Sequence, residues 1–316
     1  MKSLVVHLPL LMLFLSGVTF AIAADSPSHA LLAQSTDAPA EADSTSEETK
    51  LVPLNPSGTV LMDRANGRLL VKTKVCLREG LLEMLMCPKQ TKEHESILSY
   101  DGKVQVIHAG LLALGAEPGK PVQFQPEFTP PTGQQIEIHV IWKDKDGKEH
   151  RRPAQEWIRQ STRRYFEADL AAVPSGVPLN EGDDSLRYDQ LNKQILWYGI
   201  MSDAQRDEFL KLSSNEAYQK AIRSLHEQSQ VKPMQADFVF TGSSFAPVEG
   251  GGEVYLAQAG SAICVANFSD AMIDVGVRSS ASNDVGLLYE PWTERVPPLE
   301  TEVMLELKPV KEKTED

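Results

Sequence analysis

The sequence predicts an α+β fold: a mainly antiparallel sheet domain with one packed helix and an inserted α-helical segment. Three observations predict it. Runs of alternating apolar residues recur up to residue 160 and again from residue 235, and the first are joined by Asn-Gly and Asp-Gly turns. One apolar stripe at helical spacing lies among the early runs. Between residues 163 and 232 the pattern changes to capping signals followed by amphipathic stretches. The regular strand and helix alternation that parallel crossovers need is absent.

At the N-terminus, Lys2 precedes an apolar run from Leu4 to Phe20 and the small-residue pattern Ala21-Ile22-Ala23. Residues 1–23 therefore read as a secretory signal peptide, and the mature protein as exported to the periplasm or the extracellular space. No later segment is long and apolar enough to span a membrane. Residues 24–57 are dominated by Ala, Ser, Thr, Pro, Asp and Glu without aromatics, and read as a disordered acidic linker. With a formal charge of -13 and no basic stripe, nucleic acid is not an expected partner.

From Val60 the elements follow in order. Val60-Leu61-Met62 and Leu69–Leu77 flank an Asn66-Gly67 turn, the strongest short hairpin signal. A second turn at Arg78-Glu79-Gly80 returns the chain as Leu81–Cys87, and Pro88 ends the pairing. Val104–Gly115 carries Val104, Ile107, His108, Leu111 and Leu112 on one helical face. Ile136–Trp142 alternates, and Asp146-Gly147 turns it into Lys148–Trp157, with His139 and His150 at polar positions facing solvent. Leu186–Ile200 reads as a helix, and Ser202-Asp203-Ala204-Gln205 and Ser213-Ser214-Asn215-Glu216 as capping boxes opening two more. After Pro233 come strand patterns at Phe238–Phe240, Glu253–Leu256, Ala262–Ala266, Val285–Tyr289 and Glu302–Leu307. Neither flank looks complete alone. The block 163–232 is thus an insertion into one domain of residues 58–310, followed by a charged tail, 311–316.

The residues with chemical potential are Cys87, His94, His108 and Cys264, the thiolate and imidazole types that tetrahedral zinc prefers and copper accepts. They form the candidate metal set. Glu95 could act as a general base beside a metal-bound water, although His94-Glu95 lacks the second His of H-E-x-x-H. Each has a plainer reading: a buried inert thiol for Cys264, a hydrogen-bonded core imidazole for His108, and helix-start capping chemistry for His94. In the expected hairpin, Cys76 faces Glu83, about 13 Å along the strand from Cys87. A disulfide needs Cα atoms within roughly 7 Å, so this pair is not expected to bridge. The same register sets Cys87 opposite Lys72, which would favour its thiolate. Sequence signatures of nucleophile elbows, P-loops and dinucleotide folds are missing, and no catalytic set is defined.

Several segments resemble the YdjY-type domain of bacterial envelope proteins: Val75–Gly80, Cys87-Pro88, Lys92–Leu98, His108–Gly115, then Phe238–Phe245, Ile263–Phe268 and Trp292–Pro298. The resemblance implies one exported domain and brings no activity with it. Residue by residue it covers Cys76, Cys87, His94, Glu95, His108 and Cys264, and the block 163–232 departs from it. Two functional classes follow: a metal- or thiol-dependent envelope protein, or a non-catalytic binding or assembly module that meets an envelope partner through the insertion.

Overall fold

Alternation along Arg68–Val75 buries Leu69, Val71, Thr73 and Val75 on one face and turns Lys72 and Lys74 outward. The computed structural model describes residues 50–179, 182, 184–277 and 288–311; the expected signal peptide, the linker as far as residue 49, residues 285–287 of one expected strand and residues 312–316 of the tail lie outside these. Arg68–Val75 pairs with Glu302–Pro309, which pairs with Gln135–Lys143, so that Val71, Leu305 and Val140 stand in one inward row. Next come Phe238–Phe240, Ile273–Val275, Ile263–Cys264, Met84–Pro88 and Ser96–Tyr100. Ser96–Tyr100 then returns to Arg68–Val75 through Lys74↔Ser99 and Val75↔Leu98.

The described residues thus form a closed eight-strand barrel, which overturns the expected α+β sheet domain. Alternation fixes the face each strand buries and leaves open which strands become neighbours. Closure removes both sheet edges, and no sequence period signals it. The expected packed helix is α1 (Val104–Ala113), which buries Val104, Ile107, Gly110 and Leu111 against the barrel core. At Gly110 an added Cβ would come within 2.8 Å of Leu54 and Leu69 methyl carbons, so the helix backbone sits almost on the barrel wall.

Two neighbouring pairs run parallel, Met84–Pro88 with Ser96–Tyr100 and Ile263–Cys264 with Ile273–Val275. The expected hairpin of Leu69–Leu77 with Leu81–Cys87 does not form, because Ser96–Tyr100 lies between the two strands. After Val75 the chain leaves the ladder: Cys76 N–H donates to Ile97 O (2.9 Å) and Leu82 bridges to Tyr289. The expected register falls with the hairpin. Cys87 stands opposite Ser99, not Lys72, and the three cysteines are free thiols.

The Asn66-Gly67 and Asp146-Gly147 turns form where expected, with Asp63↔Arg68 and Lys143↔Glu149 closing their hairpins. Of the two histidines expected in solvent, His139 is instead 7% exposed. It stands next to Glu306 on the outer barrel wall, and Arg68 and Arg151 reach over that carboxylate from neighbouring strands. Long arginine stems cover a polar row that alternation alone would leave wet. His150 is half-buried, stacks on Trp142, and hydrogen-bonds Asp144 Oδ2 at 2.7 Å.

The insertion is mixed, not helical. Tyr165–Asp169, Gln194–Tyr198 and Arg187–Asp189 form a three-stranded antiparallel sheet, backed by α2 (Asp203–Lys211) and α3 (Glu216–Ser229). The helix expected over Leu186–Ile200 is a hairpin. Asp189 Oδ1 accepts from the N–H groups of Leu191 and Asn192 (2.8 and 3.1 Å), and Lys193 takes a φ of 57°. Ile195 and Trp197 are buried at strand alternation, a spacing that a short apolar run shares with a helix. The capping box at Ser202 and Gln205 is present; α3 is instead capped by Asn215, whose Oδ1 accepts from Tyr218 N–H. Phe166, Ile195, Trp197, Tyr218, Ile222 and Leu225 give the insertion a core of its own. Its two ends meet where Gln160 N–H donates to Lys232 O (2.8 Å).

Candidate functional site

The resembling segments around Cys87, Lys92–Ser96 and Ile263–Phe268 converge where the barrel carries its two parallel strand pairs. Glu83 is the junction. Its N–H donates to Glu95 O (3.0 Å), while its carbonyl accepts from Val265 and Ala266 (2.8 and 3.2 Å). Lys92 then sits between the side chains, with Nζ 3.2 Å from Glu83 Oε2 and 3.1 Å from Glu95 Oε1. The same ammonium lies 4.1 Å from the centre of the Phe268 ring. Its stem crosses Gly260, where a Cβ would meet Lys92 Cδ at 2.6 Å.

Burial, and then the hydrogen bond with Glu95, push the Glu83 carboxyl above its usual range. Burial alone would lower Lys92, but its two carboxylate partners outweigh that and hold it raised. The cluster is a closed clamp: its ammonium is spent on two carboxylates and a ring. Glu95, the expected general base, is one jaw of it.

Beneath lies Asp274, fully buried on Ile273–Val275. Its Oδ1 accepts from Val275 N–H (2.8 Å) and Asn267 Nδ2 (3.2 Å), and Oδ2 from Phe268 N–H (3.3 Å). These bonds hold the loop 265–272 that joins two parallel neighbours. Burial dominates, and the Asp274 carboxyl is pushed up to about 7.

The four metal candidates do not come together. Cys87 and Cys264 share a small buried cluster with Met84 and Ala271. Burial raises both thiols, and the carboxylates of Asp274 and Asp270 raise Cys264 further. His94 is 77% exposed on the short turn Glu93–Glu95, 3.8 Å from Glu95. His108 lies on α1, where the Tyr255 hydroxyl donates to Gly242 O (3.1 Å) and so accepts from His108 Nδ1 (2.8 Å). Burial depresses His108, keeping it neutral. Among the described residues no three His, Cys, Asp or Glu side chains are grouped to hold a metal ion.

The model of the YdjY domain matches residues 60–171. This segment is a YdjY domain. The match runs from the first hairpin through α1 and Gln135–Lys143 into the first strand of the insertion. The YdjY segment cannot close the barrel by itself, since four of the eight strands come from Phe238–Phe240 onward. No curated protein and no solved structure matches the chain.

Sequence reasoning singled out Glu95 and passed over Glu83, Lys92 and Asp274. Asp274 did leave a signal: a carboxylate in the apolar run Met272-Ile273-Asp274-Val275. Lys92 and Glu83 left none: Lys92–Glu95 is an ordinary i,i+3 pair, and only the folded chain brings Glu83 and the Phe268 ring to the same ammonium.

Proposed function

We propose that the protein is an exported, non-catalytic binding module that engages an envelope partner through its insertion. Export rests on the signal-peptide pattern of residues 1–23. The observation that carries the binding reading is the dispersal of Cys87, His94, His108 and Cys264, with the thiols held protonated and His108 spent on Tyr255. Support for the insertion as the working surface comes from its construction: it has a hydrophobic core separate from that of the barrel, and its two ends meet at Gln160 and Lys232.

The test replaces residues 163–232 by a short Gly-Ser linker and crosslinks the full chain and the deletion in the cell envelope. Retained barrel circular dichroism with loss of the crosslinked partner supports the reading; the same partner captured by both forms refutes it. The adjacency of Cys87 and Cys264 favours one competing reading, a zinc or copper site. Anaerobic purification without a metal-binding tag, followed by metal analysis, decides it. Near-stoichiometric metal that is lost in Cys87→Ser would overturn the non-catalytic proposal.

A further inference from the structure

Among the described residues the outer strand of the insertion sheet, Tyr165–Asp169, has a neighbour on one side only. Leu170 N–H donates to Lys193 O (2.8 Å) and Gly199 N–H to Arg164 O (3.1 Å). Even-numbered backbone groups therefore face the inner strand, and those of Tyr165, Glu167 and Asp169 face outward. Side chains alternate across the sheet: Phe166 and Ala168 are buried toward α3, while Tyr165, Glu167 and Asp169 stand exposed on the other face.

Beside this open edge α3 presents Ala217, Lys220, Ala221, Ser224 and Gln228, a single stripe at helical spacing. The strand edge and the stripe enclose a cleft of about 730 Å³. Its helix wall is mostly small side chains, which leaves width for another backbone. Gln228 Nε2 donates to Glu167 O at 3.1 Å, filling with a side-chain amide the position that a neighbouring strand's N–H would take.

The charge of the cleft is set by the same alternation. Arg164 shares the parity of Phe166 and lies over its ring at 4.7 Å, on the α3 side. Its Nε is shut away from solvent without a hydrogen-bond partner among the described residues. Lys220 joins it from the helix, and neither cation has an ion pair among the described residues. Glu167 and Asp169 border the cleft through the strand edge; alternation sets their side chains on the opposite face, and of the two only Glu167 acts on the Arg164 charge.

We propose that this cleft takes an acidic segment of a partner protein in extended conformation, added to Tyr165–Asp169 as a fourth strand of the insertion sheet. The outward groups of Tyr165 and Asp169 and the Glu167 N–H supply the main-chain bonds, with the Gln228 amide giving up or sharing the Glu167 carbonyl, and Arg164 and Lys220 select acidic side chains. A second copy of the chain fits poorly, because antiparallel pairing of two such edges sets Glu167 against its own counterpart. This inference rests on the binding role proposed above.

The test measures fluorescence anisotropy of a fluorescein-labelled peptide of alternating Glu and Val, with a Lys-for-Glu counterpart, against the full chain. The acidic peptide should bind with saturation, and the basic one at least about ten-fold more weakly. Glu167→Pro removes an outward N–H that the fold does not use, so it should abolish binding while leaving the circular dichroism unchanged. Arg164→Gln should weaken binding by about ten-fold. Equal binding of both peptides, no binding of either, or full binding by Glu167→Pro overturns the proposal. So does binding that appears only when residues 1–49 are removed, which would make the chain's own acidic segment the occupant, or a dimer that Glu167→Pro dissociates. If the deletion of 163–232 loses its partner while Glu167→Pro keeps it, the binding role stands and this edge is not the site.

Discussion

Asp274 makes the fold itself pH-dependent, in a direction opposite to that of most structural carboxylates. Its pKa is about 7 in the folded protein, against an ordinary value of 3.8, because burial disfavours the anion more than three donors favour it. Between those values the native state holds a proton that the unfolded chain has released. This contribution to stability is therefore fully present below the ordinary value and is lost as pH rises through about 7. From about pH 5 to the alkaline side of the folded value, roughly two pH units of difference at about 1.4 kcal/mol each amount to about 3 kcal/mol. Asp274→Asn removes the titration. Its Oδ1 can keep the bonds from Asn267 and Val275, whereas its amide would face the Phe268 N–H, so the variant loses about 1–2 kcal/mol at acid pH. Urea unfolding at several pH values separates the two effects. The wild type should lose stability steadily toward alkaline pH while the variant's profile is flatter by about 3 kcal/mol. Parallel profiles for the two proteins would refute the assignment of a protonated Asp274 to the native state.

Three further outcomes follow from the same geometry. On the outer wall, Glu306→Ala leaves Arg68 and Arg151 without their shared buried carboxylate; with both arginines partly solvated, thermal unfolding should report a loss of about 3 kcal/mol. Thiol titration with a soluble disulfide reagent should find Cys87 and Cys264 unreactive in the native protein and Cys76 slow, its pKa pushed up to about 12 mainly by burial, with all three thiols counted in denaturant. Fast reaction of Cys87 would contradict its buried position. Ser202→Ala breaks the capping box of α2 and should cost about 1 kcal/mol, seen as faster hydrogen exchange in the first turn of that helix with the barrel unchanged.

The candidate site was legible in part. Cys87 and Cys264, of the same ligand type though far apart in sequence, lie together, whereas His94 and His108, near Cys87 in sequence, stand apart. Proximity in sequence placed His94 only seven positions from Cys87. Yet His94 stands exposed on the Glu93–Glu95 turn of the connection that brings the chain back to pair Ser96–Tyr100 in parallel with Met84–Pro88. The Glu83–Lys92–Glu95 clamp joins residues within thirteen positions, yet no local motif marks it, and the Phe268 ring and Gly260 that enclose Lys92 arrive from the far end of the chain.

By itself the sequence determined the local elements whose causes are local. Asn66-Gly67 and Asp146-Gly147 make their hairpins, the apolar stripe makes α1, and Ser202 with Gln205 caps α2, because turn geometry, helical period and capping act within a few residues. Only the tertiary structure decided which strands became neighbours, and hence the closed barrel, the failed hairpin at Gly80, the burial of His139 and the strand identity of Gln194–Tyr198. The physical reason is that every strand with one apolar face satisfies the same local pattern. Closure is chosen by the joint gain of burying those faces in one core and pairing both edges, a sum over residues as distant as Val75, Leu98 and Leu305.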